Sequence, residues 1–141
     1  LYDLLIKIAI CGSIIYTLFA NQIIILLFGI EYIESSRILI IYVWSIVFVY
    51  LSNGSWGYYL NENLEKFASL RLIIGAVINI ILNLYFIELY GLLGAAYATL
   101  ISYSISGYFV NLAFKRTREN FYLQTRSLFN FFNFKTWIKP I

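Results

Sequence analysis

The sequence lacks histidine and methionine, and it has one cysteine and one proline among 141 residues. A single thiol forms no internal disulfide and no cysteine-rich metal site, so we interpret Cys11 as a small apolar core residue. Without histidine the chain has no Ser–His or Cys–His catalytic pair, and its scattered carboxylates form no metal-ligand pattern. We therefore expect no metal ion, no cofactor and no enzyme activity. Because the first residue is not methionine, we expect the chain to be a piece of a longer protein.

Charged residues make up only 12% of the chain, while 62% of its residues are hydrophobic. Soluble domains carry about 25% charged residues. A soluble domain of this length also has too little interior to hide so many apolar side chains. The composition therefore predicts an integral membrane protein and excludes an ordinary soluble domain.

Long apolar runs are what the sequence has instead. They are residues 8–28, 38–60, 70–87 and 94–114, and charged residues stand only at their ends or in the links between them. At 1.5 Å per residue, a helix of this length crosses the roughly 30 Å hydrocarbon core of a bilayer. Continuous apolar sequence also argues against the alternating strands of about ten residues that build membrane barrels. The sequence therefore predicts an all-α protein with four transmembrane helices in residues 1–114.

The positive charges indicate how these helices are oriented. With four helices, both chain ends and the second link share one side of the membrane, and the first and third links share the other. Arg37 falls on the second side, and the other nine Lys and Arg residues fall on the first: Lys7, Lys66, Arg71, Lys115, Arg116, Arg118, Arg126, Lys135 and Lys139. Since Lys and Arg favour the cytosolic side, we expect both ends in the cytosol. Arg71 begins the third run, where we expect its side chain to snorkel to water.

The tail, residues 115–141, differs from the rest because it is basic and aromatic. It holds six Lys and Arg residues and seven aromatic ones, among them Phe129, Phe131, Phe132, Phe134 and Trp137. Three arrangements are open: a segment anchored in the headgroup layer on anionic lipid, a disordered tail, or the start of a further membrane segment. We do not expect nucleic-acid binding, because the tail is tethered to the membrane and has no base-reading motif.

Five amide side chains lie inside the apolar runs and are the candidates for a substrate cavity: Asn21, Gln22, Asn53, Asn79 and Asn83. Asn79 and Asn83 are four residues apart and share one helix face. Asn53 lies in SNGSWG, where two glycines weaken a helix. Such amides either form hydrogen bonds between helices, at about 0.6–2 kcal/mol each, or line a water-filled cavity. The sequence leaves both readings open.

The fourth run has a face of small residues. Ala98, Ser102 and Ser106 recur at every fourth position, and Gly94 stands one turn before them. Faces of this kind let helix backbones approach closely. We therefore expect the fourth helix to pack among other helices.

Residues 78–103, INIILNLYFIELYGLLGAAYATLISY, carry a family resemblance. They resemble the C-terminal half of bacterial polysaccharide flippases, the O-antigen and capsule translocases of the multidrug/oligosaccharidyl-lipid/polysaccharide exporter superfamily. An upstream segment, residues 26–40, LLFGIEYIESSRILI, is similar to a link in the same family. The motif positions in this chain are Gly29, Tyr32, Gly91, Gly94, Ala95, Ala96 and Thr99. The chain departs from the family at Glu88, where proline is common, so we expect a less rigid exit from the third helix.

The resemblance implies a twelve-helix transporter made of two six-helix bundles that works by alternating access. Its implied substrate is a polyprenyl-diphosphate-linked oligosaccharide, a polysaccharide repeat unit flipped across the bacterial cytoplasmic membrane. In that case this chain is the last four helices of the second bundle, and its partners are the bilayer, the preceding helices and the lipid-linked oligosaccharide.

Two other classes of protein are alternatives to a flippase fragment. A small multi-helix membrane subunit or scaffold without transport activity of its own fits the small-residue face equally well. An enzyme acting on membrane lipids needs a cluster of catalytic groups at the interface. The acids at the helix ends, Asp3, Glu31, Glu34 and Glu88, are divided between the two sides of the membrane, which argues against an enzyme.

Overall fold

The computed structural model describes residues 2–133, and within that range the chain forms helices and turns and no strand. Six α-helices follow one another along the chain: α1 (Tyr2–Phe28), α2 (Ser35–Asn61), α3 (Glu65–Tyr90), α4 (Leu92–Ser104), α5 (Val110–Ala113) and α6 (Arg118–Phe132). The helices α1, α2 and α3 are long and apolar enough to span a membrane. The prediction of an all-helical protein is thus confirmed for these residues.

The pair α1 and α2 packs antiparallel around the main apolar core. That core is formed by Ile6, Ala9, Ile10, Val47 and Leu51. The first helix starts earlier than residue 8, where the apolar run begins, because residues 2–7 (YDLLIK) continue the same helix although Asp3 and Lys7 are charged. The link between the two helices turns at Gly29, whose φ of 98° is in the region that favours glycine.

The pair α3 and α4 forms a second antiparallel hairpin with a tighter reversal than the sequence predicted. The apolar runs 70–87 and 94–114 predict a link over residues 88–93, but α3 continues through Glu88 to Tyr90. Glutamate keeps its backbone N–H and has no ring, so it does not end the helix as proline would. The chain instead reverses at Gly91, with φ 60° and ψ −137°. At Gly94 a Cβ atom would lie 1.9 Å from the carbonyl oxygen of Phe86, so the two backbones touch there.

The fourth apolar run is not one regular α-helix. It contains α4, then a π-helical turn over Ile105–Phe109, then the short α5. Within the π-turn, Gly107 lies against α2, where a Cβ atom would stand 2.6 Å from the carbonyl oxygen of Phe48. A π-turn accommodates one extra residue in the helix and changes its backbone pairing. The sequence showed an apolar run of the right length but gave no sign of this irregularity.

The tail is helical over α6, which packs against α1 and α5. Its buried face is polar, and its exposed face carries both charged residues (Arg118, Glu119 and Arg126) and aromatic ones. The buried face carries Asn120, Gln124 and Ser127, while Phe129 and Phe132 are exposed. Of the predicted tail features, Phe134, Lys135, Trp137 and Lys139 lie outside the described residues.

Candidate functional site

A groove of mixed polar and apolar lining, called the polar groove after its amide and hydroxyl side chains, runs between α3 and α4 beside Tyr42 of α2. Its volume is about 380 Å³. The residues that line it are Tyr42, Leu72, Gly75, Ala76, Asn79, Thr99, Ser102, Tyr103 and Ser106. Gly75 lies so close to Ser106 that a Cβ atom at Gly75 would be 2.7 Å from the Ser106 Cβ. This close approach of small residues brings the polar side chains of the two helices to one groove.

The Ser and Thr hydroxyls of the groove use their protons within α4 and the π-turn. Thr99 donates to the carbonyl of Ala95 at 2.9 Å, and Ser102 donates to that of Ala98 at 2.6 Å. Ser106 donates to the carbonyl of Ser102 at 2.8 Å. Each hydroxyl oxygen keeps lone pairs that accept hydrogen bonds. The α4 side of the groove therefore offers acceptors to a bound molecule.

The two amides of α3 form a pair on one face, as their spacing predicted. The Nδ2 of Asn83 donates to both the backbone oxygen and the Oδ1 of Asn79, each at 2.9 Å. Asn79 lines the groove, whereas Asn83 stands one turn further along α3. Because Oδ1 of Asn79 accepts from Asn83, its Nδ2 is the donor left for other partners.

The structure does not bring the remaining cavity candidates to this groove. Asn21 and Gln22 are exposed on α1, and Asn53 is exposed on α2. The residues of the family motif divide between turns, packing and the groove. Gly29 and Gly91 form turns, Tyr32 packs its ring near that of Phe28, and Thr99 lines the groove. Three further motif residues lie on α4: Gly94, Ala95 and Ala96.

A second groove, of about 730 Å³, is almost entirely apolar. It lies where α1, α2, α4, the π-turn and α6 meet. Trp44, Phe48, Phe109, Phe129 and Phe132 supply most of its aromatic surface. The polar and apolar grooves therefore adjoin opposite parts of α4, since Thr99 and Ser102 line the first and Leu100 and Ile101 the second.

A buried cluster of polar side chains, the amide cluster, joins α6 to the rest of the molecule. It consists of Tyr2, Ser55, Tyr59, Asn111, Asn120 and Gln124. At its centre, the Nε2 of Gln124 lies 2.9 Å from the Ser55 hydroxyl, 2.9 Å from the Gly107 carbonyl and 3.1 Å from the Leu51 carbonyl. Its Oε1 accepts from the Nδ2 of Asn111 at 2.9 Å. One side chain of α6 thus binds α2, the π-turn and α5.

The rest of the amide cluster lies at the end of the bundle where α1 begins and α2 ends. The hydroxyl of Tyr59 donates to the Oδ1 of Asn111, and the hydroxyl of Tyr2 donates to the Oδ1 of Asn120. This cluster is not among the sequence-based predictions. Its signal in the sequence is the spacing of Asn120, Gln124 and Ser127, which places three polar residues on one face of a helix.

Arg71 also lies elsewhere than predicted. The expectation that it snorkels to water is wrong, because only 5% of the residue is exposed. Its Nη2 donates to the carbonyl of Ser52 at 3.0 Å, and its Cζ lies 5.0 Å from the centroid of the Tyr59 ring. Packing of α3 against the end of α2 covers the side chain before it reaches the surface.

Residues 2–133 contain no group of three or more His, Cys, Asp or Glu side chains that could hold a metal ion. The groups that converge in the grooves are amides, hydroxyls and apolar side chains. No family model, curated protein or solved structure matches the chain.

Proposed function

We propose that this chain is part of a bacterial membrane transporter that flips a polyprenyl-diphosphate-linked oligosaccharide across the cytoplasmic membrane by alternating access. The observation that carries this proposal is the polar groove between α3 and α4. One amide and five hydroxyl side chains, two of them from tyrosines, are gathered there between helices whose other faces are apolar. A polar groove of this kind inside a membrane bundle suits a polar substrate better than it suits lipid.

Membrane placement is supported by what the helices expose. The outer side of α3 presents large apolar residues, and Leu84 is 70% exposed. Soluble proteins rarely expose continuous apolar surfaces of this extent. Residues 92–113, which comprise α4, the π-turn and α5, are the proposed fourth transmembrane segment. Their 22 residues are enough for one crossing.

The two grooves suit the two halves of the proposed substrate. Sugar hydroxyls donate and accept hydrogen bonds, and the polar groove offers hydroxyl oxygens as acceptors and the Asn79 amide as donor. An isoprenoid chain is apolar, like the groove that Trp44, Phe109 and Phe132 line. The motif of residues 78–103 supports the same family and also the placement of this chain in the second of two bundles.

The experiment uses the longer transporter that contains this chain, in liposomes that carry a fluorescent polyprenyl-diphosphate oligosaccharide. Asn79→Leu removes the one amide that lines the polar groove. We expect the initial rate of flipping to fall about tenfold, which corresponds to the loss of about one hydrogen bond between neutral groups. Asn53→Leu changes an exposed amide on α2 and is expected to leave the rate unchanged.

Two results would contradict the proposal. One is an equal rate for Asn79→Leu and the unsubstituted transporter, with both folded. The other is full flipping activity from these 141 residues alone, since a quarter to a third of a two-bundle transporter has no complete alternating-access cycle. A small scaffold subunit, the other function that the fold allows, predicts no effect of either substitution on flipping.

A further inference from the structure

Arg71 is a buried cation whose hydrogen bonds are incomplete. The residue is 5% exposed, and its Nη2 alone has a hydrogen-bond partner, the carbonyl of Ser52. The Nε and Nη1 atoms are buried and have none among the described residues. The ring of Tyr59 is the other group that stabilises the charge, and no carboxylate in the described range forms an ion pair with it.

Such an arrangement is unfavourable unless something completes it. Arginine stays protonated in proteins, so burial does not neutralise it. An unpaired buried charge is strongly destabilising. One cation–π contact and one hydrogen bond to a carbonyl together offset only part of that penalty. An anion with several oxygen acceptors satisfies the hydrogen bonds of a guanidinium best. Carboxylate and phosphate are the two anions whose geometry matches it.

Arg71 also lines a small closed void that has no room for a water molecule. The other residues that line it are Tyr59, Phe67, Val110, Asn111, Phe114 and Thr117. Phe67 and Phe114 are both half-buried, and their ring centroids are 5.3 Å apart. Both rings are partly exposed and line the void together with Arg71, so rotation of either ring is the movement by which we expect a ligand to reach it.

The position of Arg71 along α3 matches the expected depth of lipid phosphates. It is followed by 16 residues without charge, 72–87, so it stands at the border of the apolar part of the helix. Lys66 lies before it on α3, and Lys115 and Arg116 follow Phe114 directly. Glu62 and Glu119 share a surface groove with Lys115 and Arg116, so their negative charges offset these two positive charges. Arg71 does not line that groove.

We propose that Arg71 is a binding site for a phosphate group, which reaches it between Phe67 and Phe114. The source of the phosphate is either the headgroup of an anionic phospholipid or free phosphate. The inference rests on the membrane placement argued above but not on transport, because binding is measured without any substrate being flipped.

The test uses the purified longer protein that contains this chain and follows its thermal unfolding and its lipid binding by native mass spectrometry. The protein is placed in nanodiscs of phosphatidylcholine with or without phosphatidylglycerol, or in neutral detergent with or without inorganic phosphate. We expect Arg71→Gln to weaken binding of the phosphate source about tenfold or more, since it removes a charge-assisted contact. Arg116→Gln removes an exposed charge at the same end and is expected to change binding by less than about threefold, the scale of an exposed ion pair.

Stabilisation by phosphatidylglycerol alone identifies the lipid headgroup as the source, and equal stabilisation by inorganic phosphate identifies the free ion. Equal losses in Arg71→Gln and Arg116→Gln overturn the site, because they show attraction by the surface as a whole. So does the absence of any preference for either phosphate source. If Arg71→Gln does not fold, Phe114→Ala decides: it widens the void and is expected to raise the affinity, and an unchanged or lower affinity overturns the site.

Discussion

Two glycines of the motif in residues 78–103 have separate physical roles. Gly91 adopts φ 60° and ψ −137°, a backbone conformation that side chains strongly disfavour. Gly94 is an ordinary helical residue but lies against the other helix of the hairpin, α3, where a Cβ would be 1.9 Å from the Phe86 carbonyl oxygen. The first glycine is needed for the turn and the second for the contact between α3 and α4.

Replacement of Gly94 tests that contact. Gly94→Ala forces the two backbones apart, and we expect it to destabilise the fold by about 1–3 kcal/mol, the usual cost of overpacking. Gly12→Ala is the matched control, because Gly12 is in the interior of α1 with no atom within 4 Å of the added methyl group. Alanine there is expected to be neutral or to stabilise the helix by about 0.5–1 kcal/mol. Thermal unfolding in one detergent measures both variants, and equal midpoints contradict the close approach.

Individual residues also show what the sequence could and could not reveal. The spacing of Asn79 and Asn83 was enough to predict that they share a face, because helix geometry alone determines it. Whether an amide faces a groove depends on the neighbouring helix, so Asn53 and Asn79 could not be distinguished. The burial of Arg71 also depends on a neighbouring helix. Its position at the start of a helix predicts an exposed side chain, but contact with α2 buries it.

Among the elements, α6 is the one whose role only the structure shows. Its buried amides and exposed aromatic residues suit a helix with protein on one side and lipid on the other, and Phe132 is 82% exposed. The long apolar helices α1, α2 and α3 were predictable because composition and run length suffice for them. The pattern in α6 is weaker, since the tail is charged and aromatic without a long apolar run. The π-turn depends on packing against α2 and α6, which no local pattern records.

Gln124 is expected to hold α6 in place. Gln124→Leu has nearly the same shape but removes the hydrogen bonds to the Gly107 carbonyl and the Asn111 amide, which keep only their long contact with each other at 3.5 Å. Unsatisfied buried groups cost about 1–3 kcal/mol each, so we expect amide hydrogen exchange in α6 and in residues 105–111 to become at least about fivefold faster. Arg126→Leu changes an exposed position of the same helix and is the control. Unchanged exchange in Gln124→Leu, or an equal increase in both variants, argues against this role.

For the whole molecule, the arrangement of the helices and the distribution of charge agree. The start of α1, the end of α2 and the start of α3 lie together, since Tyr2 contacts Ser55 and Arg71 contacts Ser52. Of the eight Lys and Arg residues in the described range, seven lie at this end of the bundle or in the segment that follows α5: Lys7, Lys66, Arg71, Lys115, Arg116, Arg118 and Arg126. Arg37 lies at the other end, between α1 and α2. Positive charge at one end favours that end in the cytosol.

This orientation predicts a pattern of thiol labelling in intact cells. In a Cys11→Ser background, single cysteines are introduced by Glu34→Cys, Glu62→Cys, Glu88→Cys and Glu119→Cys, all at exposed positions. A membrane-impermeant maleimide is expected to label positions 34 and 88 from outside and positions 62 and 119 only after lysis. Labelling of 62 and 119 but not 34 and 88 means that the orientation is reversed. If 119 is labelled together with 34 and 88, residues 92–113 do not cross the membrane, and the chain then has three spans, the number of helices that are individually long and apolar enough.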